Sequence, residues 1–312
     1  MQSAKIRGLD ISKLTLGTVQ LGMDYGIANK NGKPSLETSF ELLQSAVDGG
    51  VNSFDTALLY GDSEVVLGKY FSTNPATLKN SVLTTKFKVL ADGDLSPKGI
   101  EKQIYGYVET SLRQLGLKKI PIYMLHNARD MSIYGSIVLD TMKRLKNEGL
   151  IEKAGVSVYL PEEADEMLKL DVFEAIQAPM NIFDRKFIQS GTLKRLHDEN
   201  IIVFIRSVFH QGLYFMDPEK LTGNLTASAD YLKQLALLAQ REGMSIAQLA
   251  FSYVRDTEGV TSLVVGAETS EQVKENIKLL EGKDISEKTR DEISILFVNI
   301  PEYILNPGQW KK

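Results

Sequence analysis

The chain has 312 residues, of which 43% are hydrophobic and 24% charged, enough apolar material for a sizeable core and too much for disorder. A net charge of −4, with Lys and Arg spread along the chain, leaves no basic footprint for nucleic acid. The lack of cysteine excludes disulfides, thiolate ligands and Cys nucleophiles, and His126, His197 and His210 have no metal-ligand spacing.

Short β-rich runs alternate with amphipathic ones. Residues 5–14 read as a hairpin turning at Gly8-Leu9-Asp10, and 14–17 as a strand. Ser35 offers a helix N-cap, Leu36, Phe40, Leu43 and Val47 follow helical spacing, and Gly49-Gly50 stop the run. Strands are predicted at 53–55, 81–86, 122–126, 153–158, 175–177, 201–205 and 262–265. Helices are predicted from 63, and at 100–115, 137–145, 162–168, 192–197, 231–241 and 271–280. An additional helix, 246–255, precedes the last strand. About eight strand-then-helix units give the count of a (β/α)₈ TIM barrel, here one domain over residues 1–312 with an N-terminal β-hairpin and an extra helix. A doubly wound open sheet is the alternative. It needs G-x-G-x-x-G after the first strand, and Gly17-Thr18-Val19-Gln20-Leu21-Gly22 has the wrong spacing.

No apolar run approaches the ~20 residues of a membrane span. The opening MQSAKIRGLDISKL has no signal-peptide stretch, so a cytoplasmic monomer or small homo-oligomer without a membrane partner is expected.

In such a barrel the chemistry lies at the C-terminal strand ends. The strand 53–55 ends in Asp55, with Tyr60 in the loop beyond it; the next two end in Lys86 and His126. Each has a plain alternative: a helix cap for Asp55, core packing for Tyr60, surface for Lys86, a structural hydrogen bond for His126. Together they make chemical sense. A phenol titrates near 10 and is a poor acid at neutral pH, and a neighbouring ammonium is expected to lower that value. A carboxylate keeps the ammonium charged, and an imidazole orients a carbonyl. A bound hydride donor is the natural electron source.

Gly17-Thr18, FDTALLYGDSE (54–64), Thr85-Lys86 and Leu125-His126, in this order, resemble the aldo-keto reductase superfamily, and the likeness runs from about residue 5 to 276. It implies a (β/α)₈ barrel that binds NADP(H) or NAD(H) without a Rossmann domain and reduces an aldehyde or ketone to the alcohol. Tyr60 would be the general acid, Lys86 and Asp55 would tune it, and His126 would place the small-molecule carbonyl. Gly155-Val156-Ser157-Val158 resembles the family's Gly-x-Ser-Asn, with Val158 in place of Asn; Ser157 and Gln177 would bind the carboxamide. Asn181 and Arg185 continue the Gln177 pattern. Arg206 stands where many relatives carry an aromatic residue, and a guanidinium can also stack. Ser207, Val208, Gly212 and Leu213 would offer backbone N–H groups to the pyrophosphate. Gly266, Glu268, Thr269, Gln272, Glu275 and Asn276 resemble the adenosine end. Relatives that prefer NADPH usually carry a basic residue early in that loop. Glu268 and Thr269 stand there instead; a carboxylate would repel a 2′-phosphate and accept from a ribose hydroxyl, which makes NADH a serious alternative, while Lys274 or the Ser270 and Thr269 hydroxyls leave NADPH open. Met23, Tyr25, Phe87 and Trp310 are substrate-side candidates, and their mixed polarity suits a polar or sugar-like carbonyl. Two other functions compete: a nucleotide-sensing regulatory protein with little turnover, and a lyase or isomerase using Lys86 as a Schiff-base nucleophile.

Overall fold

Among the described residues, eight parallel strands, hydrogen-bonded in chain order with the last beside the first, close into a barrel. The computed structural model describes residues 1–25 and 32–311. Strands β1 (Ser3–Ile6) and β2 (Leu9–Ser12) form an antiparallel hairpin ahead of the barrel. The barrel strands are β3 (Leu14–Gly17), β4 (Ser53–Asp55), β5 (Val82–Phe87), β6 (Ile120–Leu125), β7 (Ile151–Ser157), β8 (Ala175–Pro179), β9 (Ile202–Arg206) and β10 (Ser262–Gly266). The barrel and the hairpin follow the sequence pattern, but the hairpin turns earlier than expected. Its two loop residues are Arg7 and Gly8, both at positive φ (50° and 82°), because a two-residue loop of that hand matches the twist of its strands.

Two cores result. A small one inside the barrel joins Ile11 of the hairpin to Val82, Ile122, Met124, Ala175, Ile202 and Phe204, so the hairpin plugs one end. The larger one fills the layer between strands and helices. Helix Pro97–Leu115 begins before the expected residue 100 because Ser96 accepts from Gly99 N and Pro97 tolerates the first turn. The helix Ile246–Arg255 stands outside the strand–helix alternation, as expected. Short helices such as Val19–Gly22, Pro75–Lys79 and Arg129–Ile133 were not legible, since one turn carries no periodicity. Among the described residues no helix is long and apolar enough to cross a membrane, and no group of three or more acids and histidines is placed to hold a metal ion.

Helix Ser270–Glu281 bears on function, and Arg255 holds its end. The Arg255 guanidinium is buried and donates to the carbonyls of Leu280 (3.0 Å) and Gly282 (2.6 Å), while its other nitrogens meet Asp256 and Asp284. Carbonyls at a helix C-terminus have no partner within the helix, so these bonds are not redundant. Replacing Arg255 with Leu leaves both carbonyls without this donor and Asp256 with only the longer contact to Arg290 at 3.9 Å. Urea unfolding is expected to show a loss of about 2–4 kcal/mol; a change within ~0.5 kcal/mol would remove Arg255 from this role.

Candidate active site

A buried ion pair lies at the centre of the barrel mouth. Side chains alternate along β5, so Thr84 and Lys86 point inward while Thr85 and Phe87 point to the helices. Lys86 is fully buried, and its Nζ lies 2.7 and 2.8 Å from the two carboxylate oxygens of Asp55 and donates to Thr56 O at 2.9 Å. The pairing is set by register: Asp55 faces Thr84 across β4 and β5. Burial works to lower the Lys86 pKa, but Asp55 and Tyr60 outweigh it, and the net shift is upward. Gln177 on β8 donates to Asp55 Oδ1 at 2.8 Å. Thr18 bonds the Asp55 carbonyl through both N and Oγ1, each at 2.9 Å, and Gly17 faces Asp55 across the β3–β4 pair.

Tyr60 stands beside this pair, its ring centroid 5.0 Å from Lys86 Nζ. The loop that carries it is held by Leu58 N donating to Lys86 O and by a close backbone approach. A Cβ on Gly22 would fall 1.7 Å from Tyr60 O, and Gly61, at φ 55°, would meet Gly22 O at 2.3 Å. Only glycine fits at either position. Burial is the largest influence on the phenol and raises its pKa; Lys86 opposes this and does not prevail. The expectation of a lowered pKa is therefore corrected: in this pocket desolvation outweighs the ammonium, and Tyr60 keeps its proton.

His126 follows β6, and its ring meets that of Tyr60 edge-on at 5.5 Å. Burial, then Lys86, Arg206 and Lys88, drive its pKa down to about 3, so the imidazole is neutral at neutral pH. Its Nδ1 is buried without a partner. Asp55, Tyr60, Lys86 and His126 thus come together from three successive strand ends. Asp62 occupies the N-cap position of helix Ser63–Thr73 without bonding it, and pairs instead with Lys33 at 2.6 Å.

The substrate-side candidates divide. Met23 and Tyr25 are exposed near the Tyr60 loop, Met23 beside Gly61 and Tyr25 close enough to act electrostatically on Tyr60. Phe87 is a correction. It is buried and stacks on Tyr123 at 4.7 Å, because the alternation that sends Lys86 inward sends Phe87 outward. Trp310 packs edge-on against His210 at 5.4 Å and donates to Ile304 O, which places it beside the loop after β9.

On the far side of the mouth, Ser157, the last residue of β7, pairs in register with Gln177 in the middle of β8. Val158 is fully buried. The Arg206 guanidinium lies 4.4 Å from the Tyr159 ring centroid, a contact with no sequence signal. Asn181 is structural: its Oδ1 accepts from Phe183 N, Asp184 N and Tyr214 OH. Beyond Arg206, Ser207, His210 and Gln211 hold φ of 65°, 49° and 52°, and Gly212 has 89°. Such non-glycine positions cost of order 1 kcal/mol or more each and concentrate at functional loops. Val208 and Leu213 are buried, so only their backbone is available.

A cavity of about 540 Å³ adjoins this loop, lined among others by Phe209, Phe215, Gly266, Gln272, Glu275, Asn276 and Lys278. Four of these were candidates from sequence; the two phenylalanines and Lys278 were not, having no motif. Thr269 caps helix Ser270–Glu281 through Gln272 N, and Glu268 N donates to Gln272 Oε1 at 2.7 Å. Burial raises the Glu268 pKa. A cavity of nucleoside size, a strained loop and a polar cluster, in that order along the mouth, fit an extended dinucleotide.

The profile of the Aldo/keto reductase family matches residues 13–296. The chain is 25% identical to an L-glyceraldehyde 3-phosphate reductase of Escherichia coli strain K12, over 90% of this chain and 89% of that protein. It is 27% identical to an NADH-specific methylglyoxal reductase of the same strain, over 87% of this chain and 90% of that one. It is similar in fold to the holo form of an aldo-keto reductase of Bacillus halodurans, with a TM-score of 0.75 and 23% identity over 95% of this chain and 96% of that one. The chain belongs to the aldo/keto reductase family, NAD(P)-dependent oxidoreductases that act on carbonyl compounds.

Proposed function

We propose that this protein reduces a short, polar aldehyde or ketone, with Tyr60 as the proton donor. The observation that carries the reading is the half-buried Tyr60 phenol set between the Lys86 ammonium and the neutral His126 ring. When bound, the dihydronicotinamide supplies the hydride. The rest falls to this chain. His126, neutral, retains one N–H to orient the carbonyl without placing a second full charge beside Lys86. Tyr60 gives its proton to the carbonyl oxygen as that oxygen gains charge. Lys86 stabilises the phenolate left behind, and Asp55 keeps Lys86 charged and aimed. Gln177 and Ser157 would hold the carboxamide, and Arg206, its guanidinium over the Tyr159 ring, would offer a planar face to the nicotinamide. The relatives named for methylglyoxal and L-glyceraldehyde 3-phosphate support a small polar carbonyl. At the adenosine end, Glu268 beside the cavity disfavours a 2′-phosphate and supports NADH as donor.

Three measurements test this reading. Tyr60→Phe is expected to lower kcat by about 10²-fold or more while the NADH dissociation constant changes little; full turnover would remove Tyr60 from its role. Between about pH 5 and 8, kcat should show no inflection, because the Tyr60 pKa lies above its usual value and that of His126 near 3. A titration in that window that vanishes in His126→Gln would reassign the imidazole. Glu268→Lys should shift the ratio of NADH to NADPH affinities toward NADPH; an unmoved ratio would place Glu268 away from the 2′ position.

A further inference from the structure

Tyr60 and Lys86 belong to different elements, a loop and a strand, yet the reaction needs them in fixed register. The start of helix Ser63–Thr73, just beyond Tyr60, is tied to the barrel twice. Ser63 Oγ makes hydrogen bonds with Thr18 Oγ1 (2.7 Å), Thr56 Oγ1 (2.8 Å) and Thr18 O (2.9 Å), pinning the helix to the residues that directly follow β3 and β4. Glu64 reaches to β5, where its Oε1 accepts from Thr85 Oγ1 at 2.5 Å. Thr85 is the residue before Lys86 and faces the outer side of the strand. The helix packs closely on helix Pro97–Leu115, for a Cβ on its Gly68 would lie 1.9 Å from Gln114 O.

Glu64 is only 1% exposed; one carboxylate oxygen takes the Thr85 bond, and Ser111 of helix Pro97–Leu115 lies near enough to act on the carboxylate as a further hydrogen-bond donor. Burial raises its pKa; Thr85, Ser111 and Lys86 act in the opposite sense. An acid at such a position costs more than the Leu or Met that the surrounding apolar layer would accept. Packing therefore does not account for it, and the bond to the neighbour of Lys86 does.

We propose that Glu64 is a positioning residue: through Thr85 it braces the Tyr60 loop against β5 and so fixes the distance from the phenol to Lys86. The proposal rests on Tyr60 as the proton donor. It assigns to Glu64 no contact with substrate or cofactor; its effect passes through the geometry of two other side chains. A displacement of the phenol by a fraction of an ångström degrades proton transfer while leaving both binding sites intact.

The test compares Thr85→Val, Glu64→Leu, Glu64→Gln and the double variant T85V/E64L with Tyr60→Phe. It uses the full chain, NADH and the fastest carbonyl from a panel of short aldehydes. Thr85→Val removes the donor without changing volume. It and Glu64→Leu should each lower kcat roughly tenfold, with the carbonyl KM and the NADH dissociation constant nearly unchanged. Glu64→Gln, whose amide oxygen still accepts from Thr85, should recover most of that loss. The double variant should be no worse than the poorer single one, since both remove the same bond. Wild-type kcat in Thr85→Val overturns the brace, as do multiplying losses, or a rise in KM with kcat intact. If Glu64→Leu fails to fold, Thr85→Val and Glu64→Gln decide the matter between them. Loss in Tyr60→Phe with none in Thr85→Val sinks the brace alone; no loss in Tyr60→Phe sinks the proton-donor reading and the brace with it.

Discussion

A lysine with no exposed surface stays charged only with compensation such as a carboxylate beside it, and the Lys86–Asp55 pair is the constraint on which the rest of the mouth depends. The pair needs two adjacent strands in one register, which the closed barrel provides. It then leaves little freedom nearby. Asp55 spends its remaining capacity on Gln177 from the opposite side of the barrel, and its backbone carbonyl on Thr18. Lys86 adds Thr56 O, so the ammonium points to one place. The charge that persists there works against a second cation, which is part of the reason the His126 ring stays neutral. The phenol and the imidazole are thus both uncharged groups arranged around one fixed ammonium.

The other end of the mouth is built differently. There the chain invests in backbone: a loop with three non-glycine residues at positive φ, and a helix N-terminus capped by Thr269. Arg255 secures the far end of that helix from below. Side-chain hydrogen bonds fix the end proposed to react, where a fraction of an ångström would matter, and peptide geometry shapes the end proposed to hold the cofactor, where N–H groups would meet an anion. The contrast matches the chemistry that each end has to perform.

Much of this was legible in the sequence because its physical causes are local. The strand–helix alternation, the Ser35 cap and the stop at Gly49 follow from periodicity and capping chemistry. Asp55, Tyr60, Lys86 and His126 were legible because a barrel brings successive strand ends to one face. Phe87 was misread for the same kind of reason: adjacency in sequence to Lys86 means opposite facing in a strand. The hairpin turn was displaced because Arg7 at positive φ carries no signal that Gly8 does not already carry. Glu64, quoted within the very stretch that identified the site, passed unremarked, because its partner Thr85 lies on another strand.

By itself, then, the sequence determined the order of the elements, the closure implied by eight units, and the set of polar residues at the strand ends. These depend on residue type and spacing alone. Tertiary structure decided the balance of forces among those residues. It made burial outweigh the Lys86 charge at Tyr60, set the Arg206 guanidinium over the Tyr159 ring, and set a buried acid against Thr85. Desolvation and distance govern such outcomes, and both exist only once the barrel has closed around the groups concerned.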